Sequence, residues 1–588
     1  MKYIQQTIAC TLFILLLLTS CSKPSVPSSF TESDELVAIY PDYVDVTVPA
    51  NIAPLHFHID QEADDYVTRL YAGSEEWLTD EADVCPDSKD WKSLTQAALD
   101  TNDGNINVEI YIQTNGSWTR CKPFTIHVEK EPIDPYISYR LISPSYVTYE
   151  DLTLNQRCLE NFDESLIYGN MIHADYYDDT FDDKSGQCIN CHHTQWYNPK
   201  RLQFHVRQYL GGTVIAYDGD IKKVNLKTDA TLSAGVYPTW HPKKPYIVYS
   251  TNLTGQSFHT RDIQKIEVQD NKSNLIFYDF EKNEVTPITN DSTWLDCFPF
   301  WSPDGKYIYY VSAHWNRLNS TDARDFELIK NYKNVQYNLY RRPFNEDTHT
   351  FGPRELMYDA VSRNRSVTLP RISPDGRWLM FTEGNFGVFH IWHSEADLYL
   401  MDLSLATPLP DTLRTQQIFV DSIPEEYIND RTTNVDRERI ADSLRTVQAS
   451  AYSMPHYIRP IDEINSDNVE SYHSWSSNGH WVVFSSRRVD GNFTRPFIAY
   501  FDGEGHFGKP FELPQDNPQY HREFMRSFNI PEFMSGPVTI SPQEFAEIIG
   551  KDAINAELNK NYKTKADGQS GASQQKPDGQ SGASPQHK

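Results

Sequence analysis

The residues with the clearest chemical potential are two cysteines and a histidine in the run Cys188-Ile189-Asn190-Cys191-His192. Two thiols at this spacing can each bond a vinyl group of one porphyrin, and the adjacent imidazole can then bind the iron. The run therefore predicts a covalent haem c, anchored by Cys188 and Cys191 with His192 as the proximal ligand. Two alternatives are a local disulfide or another metal site, and an inherited remnant without function.

The haem iron would take a second protein ligand, usually His or Met. The nearest such residues outside the motif are Met171, His173 and His205. We favour His205 as the sixth ligand, because Arg207 on the same segment can reach a haem propionate.

The N-terminus indicates where this chemistry takes place. Lys2 precedes an apolar run over 11–18, which is about half the length of a membrane span, and the segment ends in LTSC at Cys21. We interpret 1–20 as a lipoprotein signal peptide, Cys21 as the lipidated residue and 21–36 as a Ser/Pro-rich tether. Export suits the haem prediction, because haem attachment takes place outside the cytoplasm.

The charge balance restricts the partners. The 588 residues include 81 Asp and Glu against 53 Lys and Arg, so the formal net charge is −28. Such a chain repels phosphate backbones, and we expect no nucleic-acid partner. The expected contacts are the membrane, through the N-terminal lipid, and an unidentified envelope protein or redox partner.

Residues 37–135 contain short alternating runs, such as 44–48 and 108–112, separated by turn residues. Alternation at period two predicts a small β-sandwich domain in which each strand buries one face. Cys85 and Cys121 lie in this region. In an exported protein they are the best candidates for a structural disulfide.

An internal repeat occupies the second half of the chain. Each copy opens with a large apolar residue, continues through a turn and closes on an aromatic-rich strand. Three copies have Asp-Gly or Asn-Gly in the turn, which accepts the positive φ of a tight hairpin. In the first copy His241 replaces a serine, and we interpret it as a turn-capping residue. The copies are WHPKKPYIVY from Trp240, WSPDGKYIYY from Trp301, ISPDGRWLMF from Ile372 and WSSNGHWVVF from Trp475.

These copies resemble the β-propeller repeats of TolB-like and WD40-like (PD40-type) bacterial proteins over about 210–510. With the LTSC sequence and a single CxxCH motif, the chain is similar to propeller lipoproteins of the Bacteroidetes type. The resemblance implies a propeller but no particular activity. Surface-exported lipoproteins of this type usually carry acidic residues after the lipidated cysteine, whereas 22–25 read SKPS. We therefore expect a lipid anchor in the outer membrane, on the periplasmic side.

The domain boundaries follow from these features. From the usual length of a blade we expect a roughly six-bladed β-propeller over 210–530, with a helical insertion at 405–465. The polar segment 136–209 is expected to be an irregular linker that holds the haem motif. A capping box predicts a C-terminal helix within 531–562, and the low-complexity repeat in 563–588 predicts a disordered tail.

The sequence thus predicts a mainly β envelope lipoprotein that acts in electron transfer or haem-based sensing, with the propeller docking a partner. The alternative is a haem-free propeller scaffold or binding subunit of a cell-envelope complex. A weaker alternative is a propeller hydrolase, which would need an acidic cluster in the central channel. The chain contains no nucleophile elbow, phosphate-binding loop or zinc-protease motif, so we assign no catalytic residue.

Overall fold

The computed structural model describes residues 23–101, 103–143, 151–173, 187–259, 264–314, 332–410, 423–429 and 431–562. The predictions for the signal peptide, Cys21 and the tail therefore lie outside the described residues. Strands dominate the described ranges, which confirms the mainly β prediction. Within these ranges no helix is both long enough and apolar enough to cross a bilayer.

The N-terminal region contains two sheets and a helix. The larger sheet has the order β1-β9-β8-β10-β3, with β5 and β6 joined to it at β8, and β2, β4 and β7 form the smaller sheet. The strands are β1 Thr31–Glu32, β2 Ile39–Tyr40, β3 Thr47–Pro49, β4 Phe57–Ile59, β5 Asp65–Ala72, β6 Glu75–Thr79, β7 Asp83–Val84, β8 Asn105–Thr114, β9 Ser117–Arg120 and β10 Phe124–Glu129.

The helix α1 (Ser88–Asp100) is an addition to the predicted all-β region. Asp87 caps it by accepting hydrogen bonds from two backbone amides. Trp91, Leu94 and Ala98 lie on its buried face and join the hydrophobic core of the two sheets. Their spacing of three and four residues is the helical signal that strand alternation on either side obscured.

Six sets of antiparallel strands follow, and in five of them the strands lie side by side in chain order; in set 1 the first strand, β35, comes from the C-terminal end of the region. One strand of each set contacts the corresponding strand of the next set, and we call it the inner strand. From the inner strand outward, the sets are: set 1, β35 Ser527–Met534, β11 Tyr136–Ile142, β12 Thr153–Cys158 and β13 Glu164–Gly169; set 2, β14 Gln187–Gln195, β15 Asn198–Gln208, β16 Gly212–Tyr217 and β17 Asp220–Asn225; set 3, β18 Val236–Trp240, β19 Tyr246–Phe258, β20 Ile266–Asp279 and β21 Glu284–Pro287; set 4, β22 Trp294–Trp301, β23 Tyr307–His314, β24 Asn338–Asn345 and β26 Glu355–Tyr358, with β25 Thr350–Phe351 beside β24; set 5, β27 Ser366–Ile372, β28 Trp378–Gly384, β29 Asp397–Asp402 and β30 Ile458–Pro460; set 6, β31 Glu470–Trp475, β32 Trp481–Ser486, β33 Arg495–Tyr500 and β34 Phe511–Glu512.

The inner strands contact one another in a cycle, in the order β35, β14, β18, β22, β27, β31 and again β35. Set 1 combines both ends of this region, because β35 near the C-terminus pairs antiparallel with β11. The arrangement is propeller-like. The core of the N-terminal region is continuous with apolar side chains of sets 6 and 1.

Two predicted segments need correction. Residues 136–209 are not an irregular linker, because they supply three strands of set 1 and two of set 2. Their polar residues misled the prediction, since strands between packed sheets also carry hydrogen-bonded polar side chains. The C-terminal helix within 531–562 is short: α4 spans Pro542–Ile549. Beyond it, β36 (Ile554–Asn555) and β37 (Glu557–Leu558) pair with β17 and β21.

The insertion at 405–465 does contain a helix, α2 (Asn434–Ser450), capped by Thr433. A third helix, α3 (Tyr520–Glu523), forms one turn before β35. Short 3-10 helices span Asn170–His173, Tyr332–Asn334, Val361–Arg363, His390–Trp392 and Glu425–Tyr427.

The repeat turns form as predicted. In set 4, Ser302 and Asp304 hold the turn through side-chain hydrogen bonds to backbone amides, and Gly305 has φ +76°. In set 3 the imidazole of His241 accepts hydrogen bonds from the amides of Lys243 and Lys244, at 3.2 and 3.1 Å. His241 is therefore a turn cap.

Candidate functional site

Every inner strand contains a β-bulge, and one residue of each bulge has a left-handed backbone conformation. A positive φ at a residue other than glycine costs on the order of 1–3 kcal/mol. Since the conformation recurs in all six strands, it belongs to the architecture and is not peculiar to the haem motif. The bulge residues are Cys191, Tyr237, Phe298, Leu369, Tyr472 and Ile530, with φ between 48° and 55°.

The residue after each bulge also follows a pattern. Proline occupies this position in four strands and histidine in the other two. Proline has no backbone N–H to donate, and a bulge is one of the few places where a strand accepts it. The six residues are His192, Pro238, Pro299, Pro370, His473 and Pro531.

His192 and His473 have equivalent surroundings. Backbone groups of Ser138 and Ile530 face the imidazole of His192, and those of Met380 and Leu369 face His473. In both cases the first of these neighbours lies on the second strand of the preceding set. The second neighbour is the bulge residue on the inner strand of that preceding set. Burial lowers the pKa of both imidazoles to about 3, so both are neutral at physiological pH.

Both motif cysteines border one cavity of about 180 Å³. We call it the bulge cavity, because four of the six bulge residues line it. Asn190 donates a hydrogen bond from Nδ2 to Cys188 Sγ at 3.0 Å, and Gln203 Nε2 donates to the Cys191 carbonyl. Burial raises the pKa of the Cys191 thiol, which keeps it protonated and unreactive at neutral pH.

The rest of the bulge cavity is positively charged and aromatic. Arg140 on β11 and Arg207 on β15 lie in its wall, and among its described lining residues there is no Asp or Glu. The hydrolase interpretation, which needs an acidic cluster in the channel, therefore finds no support in this cavity. The remaining lining residues are Ile142, Leu152, Asn190, Gln208, Tyr237, Thr254, Gln256, Ile266, Val268, Phe389, Ile391, Trp392, Tyr472 and Ile530.

His205, the predicted sixth ligand, lies on β15 opposite Asn190. Its Nδ1 is 3.1 Å from Thr213 Oγ1, and burial lowers its pKa to about 3. Neither His205 nor His192 belongs to the described lining of the bulge cavity. The strand register therefore separates both imidazoles from the space that the two thiols share.

These observations test the fit of a covalent haem. The thiols share a cavity, as attachment requires, but the imidazole of His192 packs against the preceding set, outside that cavity. An engineered cavity of about 150 Å³ accommodates benzene, and a porphyrin is several times larger than benzene. The folded arrangement does not fit a covalently attached haem, and the haem prediction depends on a direct test. Among the described residues no group of three or more His, Cys, Asp or Glu side chains is placed to hold a metal ion.

A second cavity, of about 60 Å³, lies among the residues two and three positions after the bulges. We call it the tryptophan cavity, after Trp240, Trp301 and Trp475 in its wall. His193 Nε2 and an Arg371 nitrogen lie 3.8 and 3.9 Å from the carboxylate of Glu532. Burial raises the pKa of Glu532 to about 7 and lowers the pKa of His193 well below its usual range.

Cys85 and Cys121, the predicted disulfide pair, are free thiols in the structure, as are the other described cysteines. Cys121 is buried and Cys85 half-buried, and burial raises the pKa of both. The structure thus lends no support to the predicted bridge.

The sequence analysis missed Arg140 and, apart from Cys191, the bulge residues. The sequence did contain a signal for the bulges. In most copies a proline directly follows the bulge residue, and a large apolar residue stands two positions after that proline. Thr194 replaces that large residue in the motif strand, which hid the fifth copy. No local signal marks Arg140, because only the pairing of β11 with the C-terminal β35 places it at the cavity.

Comparisons with known proteins leave the chain without an assigned family. No family model matches it, and no curated protein matches it. Among solved structures, a prolyl endopeptidase matches at 9% identity and a TM-score of 0.27, over 64% of this chain and 42% of the endopeptidase. An ancestral GH74 enzyme matches at 8% identity and a TM-score of 0.18, over 83% of this chain and 78% of that enzyme. The chain thus spans less than half the length of the endopeptidase.

Proposed function

We propose that this protein is a lipoprotein of the outer membrane whose six strand sets are the blades of a closed six-bladed propeller. The cycle of inner-strand contacts supports closure, and so does the pairing of β35 with β11, which joins the two ends of the region. The recurrence of one bulge in all six inner strands supports a common blade design. The N-terminal sheets then form a separate module packed against blades 6 and 1.

The function that the geometry supports best is that of a haem-free binding subunit of the cell envelope. One observation carries this proposal: the bulges of neighbouring inner strands converge on a cavity lined by cationic, amide-bearing and aromatic residues. Ligand sites commonly combine apolar walls with a few convergent polar groups. Lipidation at Cys21 would hold this site at the periplasmic face of the outer membrane, where a partner envelope protein can reach it.

The deciding experiment is haem staining of a denaturing gel and a pyridine haemochrome spectrum. The full chain is matured in a periplasm that attaches haem, beside a known c-type cytochrome. The proposal expects no haem signal, and unbridged Cys188 and Cys191 by mass spectrometry of alkylated protein. A haem signal that survives denaturation and is lost when both cysteines become Ala would overturn it.

The cytochrome remains the second candidate, because both thiols border one cavity and His192 Nε2 has no hydrogen-bond partner among the described residues. A haem-bearing form requires β14 to leave its place between β15 and the neighbouring inner strands. Haem attachment would then change the hydrogen-exchange protection of β14 and β15. The binding-subunit proposal expects identical protection from hosts with and without a haem-attachment system.

The membrane anchor has its own test. Replacing Cys21 with Ala should release the protein from the outer-membrane fraction, and metabolic labelling with palmitate should be lost. Protease added to intact cells distinguishes the periplasmic face, where the protein is protected, from the outer surface.

A further inference from the structure

Arg140 is an unusual residue in the wall of the bulge cavity. It is 7% exposed, and its Nε has no hydrogen-bond partner among the described residues. Nor does a described carboxylate form an ion pair with it. A buried charge without a partner is costly, and proteins normally pair such a group or place it where a ligand will.

The surroundings favour an anion over any other ligand. The chain as a whole has a net charge of −28, yet two arginines and no described carboxylate line this cavity. Asn190, Gln208 and Gln256, whose side chains end in amides, also line it. Guanidinium groups bind carboxylates through charge-assisted hydrogen bonds, and amides can complete the shell.

Size and polarity narrow the ligand further. The cavity measures about 180 Å³, slightly more than the roughly 150 Å³ that accommodates benzene in an engineered core. Tyr237, Phe389 and Trp392 give it an aromatic wall. These features suit an apolar or aromatic body of about one ring, joined to a single carboxylate.

We infer that the bulge cavity binds a small organic monocarboxylate of about the size of benzoate, with Arg140 as its principal anion-binding group and Arg207 beside it. The inference rests on the proposed binding function and names the ligand class of the same site. It also gives Arg140 a role in binding and none in folding.

The experiment is isothermal titration of the full lipidated chain in detergent with benzoate, phenylacetate and hexanoate. Benzyl alcohol serves as the neutral counterpart of benzoate. We expect at least one carboxylate to bind at millimolar concentration or below, and benzyl alcohol to bind at least tenfold more weakly. Arg140→Met should weaken carboxylate binding at least tenfold, and Arg140→Lys should restore part of it.

A matched control is Arg201→Gln, because Arg201 lies on the same strand, β15, is not among the described lining residues of the bulge cavity, and pairs with Asp218 at 2.6 Å. This variant should bind as the wild type does. Thermal unfolding without ligand provides a second readout: Arg140→Met should unfold at the wild-type temperature or above it, because no carboxylate among the described residues pairs with Arg140. If Arg140→Met fails to fold, Arg140 has a role in folding, which contradicts that part of the inference. Arg207→Gln then tests the part that concerns carboxylate binding.

The inference is overturned if none of the three carboxylates binds, or if Arg140→Met binds them as tightly as the wild type. Haem staining of the same preparation separates the two levels. If the protein carries no haem and binds none of the carboxylates, the inferred ligand class is wrong and the binding-subunit proposal is unaffected. Protein with covalent haem refutes the proposed function itself.

Discussion

The inner strands of sets 2 and 6 carry the same histidine in two different sequence settings. His192 follows Cys191 in a motif typical of haem attachment, whereas His473 follows Tyr472 in an ordinary repeat. Both imidazoles are buried and neutral, and both face the bulge of the preceding inner strand. The position within the repeat therefore accounts for His192 without reference to the cysteines.

The two strands differ on the side of the bulge cavity and in one hydrogen bond. Tyr472 presents a phenol ring where Cys191 presents a thiol, and both line the cavity. His473 Nε2 is 3.0 Å from the Met380 carbonyl, while His192 Nε2 lacks such a partner among the described residues. The comparison teaches that the histidine is a structural element of the repeat, and that the variable chemistry faces the cavity.

The largest expected effect comes from truncating either histidine. His192→Ala and His473→Ala should each lower the free energy of unfolding by about 3 kcal/mol, because both leave a hole between packed sets. His192→Pro and His473→Pro should each cost less than about 1 kcal/mol, because proline fills this position in the four other strands. Urea denaturation followed by tryptophan fluorescence measures all four. A His192→Pro variant as unstable as His192→Ala would break the equivalence.

The second prediction uses pH. The folded-state pKa of His473 is about 3, below an unfolded value of about 6.5. The stability from keeping this imidazole neutral is fully present above pH 6.5 and is lost as pH falls towards 3. The slope is about 1.4 kcal/mol per pH unit, or roughly 2 kcal/mol between pH 6.5 and 5.

Urea denaturation at several pH values checks this slope. The wild type should lose more stability than His473→Pro by that amount, and His192→Pro should behave in the same way. Differences between variants are needed because His205 and His390 are also buried with pKa values of about 3. An unchanged pH dependence in both proline variants would show that the imidazoles are not neutral in the fold.

The same comparison shows what sequence could predict. The turns after Trp301 and Ile372 carry Asp-Gly, and their copies were recognisable as repeats. The motif strand lacks both the large residue and an Asp-Gly turn, since Thr194 replaces the large residue and Trp196 and Tyr197 form the turn. The spacing of Cys188 and Cys191 predicted that both thiols reach one porphyrin, with His192 on its iron. The thiols do border one cavity, but the bulge at Cys191 turns His192 away from it, and the spacing of the motif does not reveal a bulge.

Turns of the repeat give the third prediction. A Cβ on Gly305 would collide with the imidazole of His241, whereas one on Gly376 meets only Pro303 Cγ at 4.0 Å. Both glycines have a positive φ, 76° and 80°, so either alanine costs about 1–2 kcal/mol. Gly305→Ala should cost about 1.5 kcal/mol more than Gly376→Ala because of overpacking. Adding His241→Ser, the residue of the other copies, should remove that difference in urea denaturation.

The smallest expected effect concerns the thiols. Cys188, Cys191, Cys85 and Cys121 are free in the structure, so a reductant should change the unfolding free energy by less than about 0.5 kcal/mol, whereas a lost disulfide typically costs about 2–4 kcal/mol. Alkylation of denatured protein, with and without prior reduction, identifies any bridged cysteine by mass. If the reductant lowers the stability of the wild type but not of Cys85→Ala, the N-terminal disulfide is present after all. If it lowers the stability of the wild type but not of Cys188→Ala, the bridge lies at the bulge cavity. The second outcome would also separate set 2 from set 6 chemically, because Tyr472 cannot form such a bond. It would make the cavity wall sensitive to the redox state of the envelope.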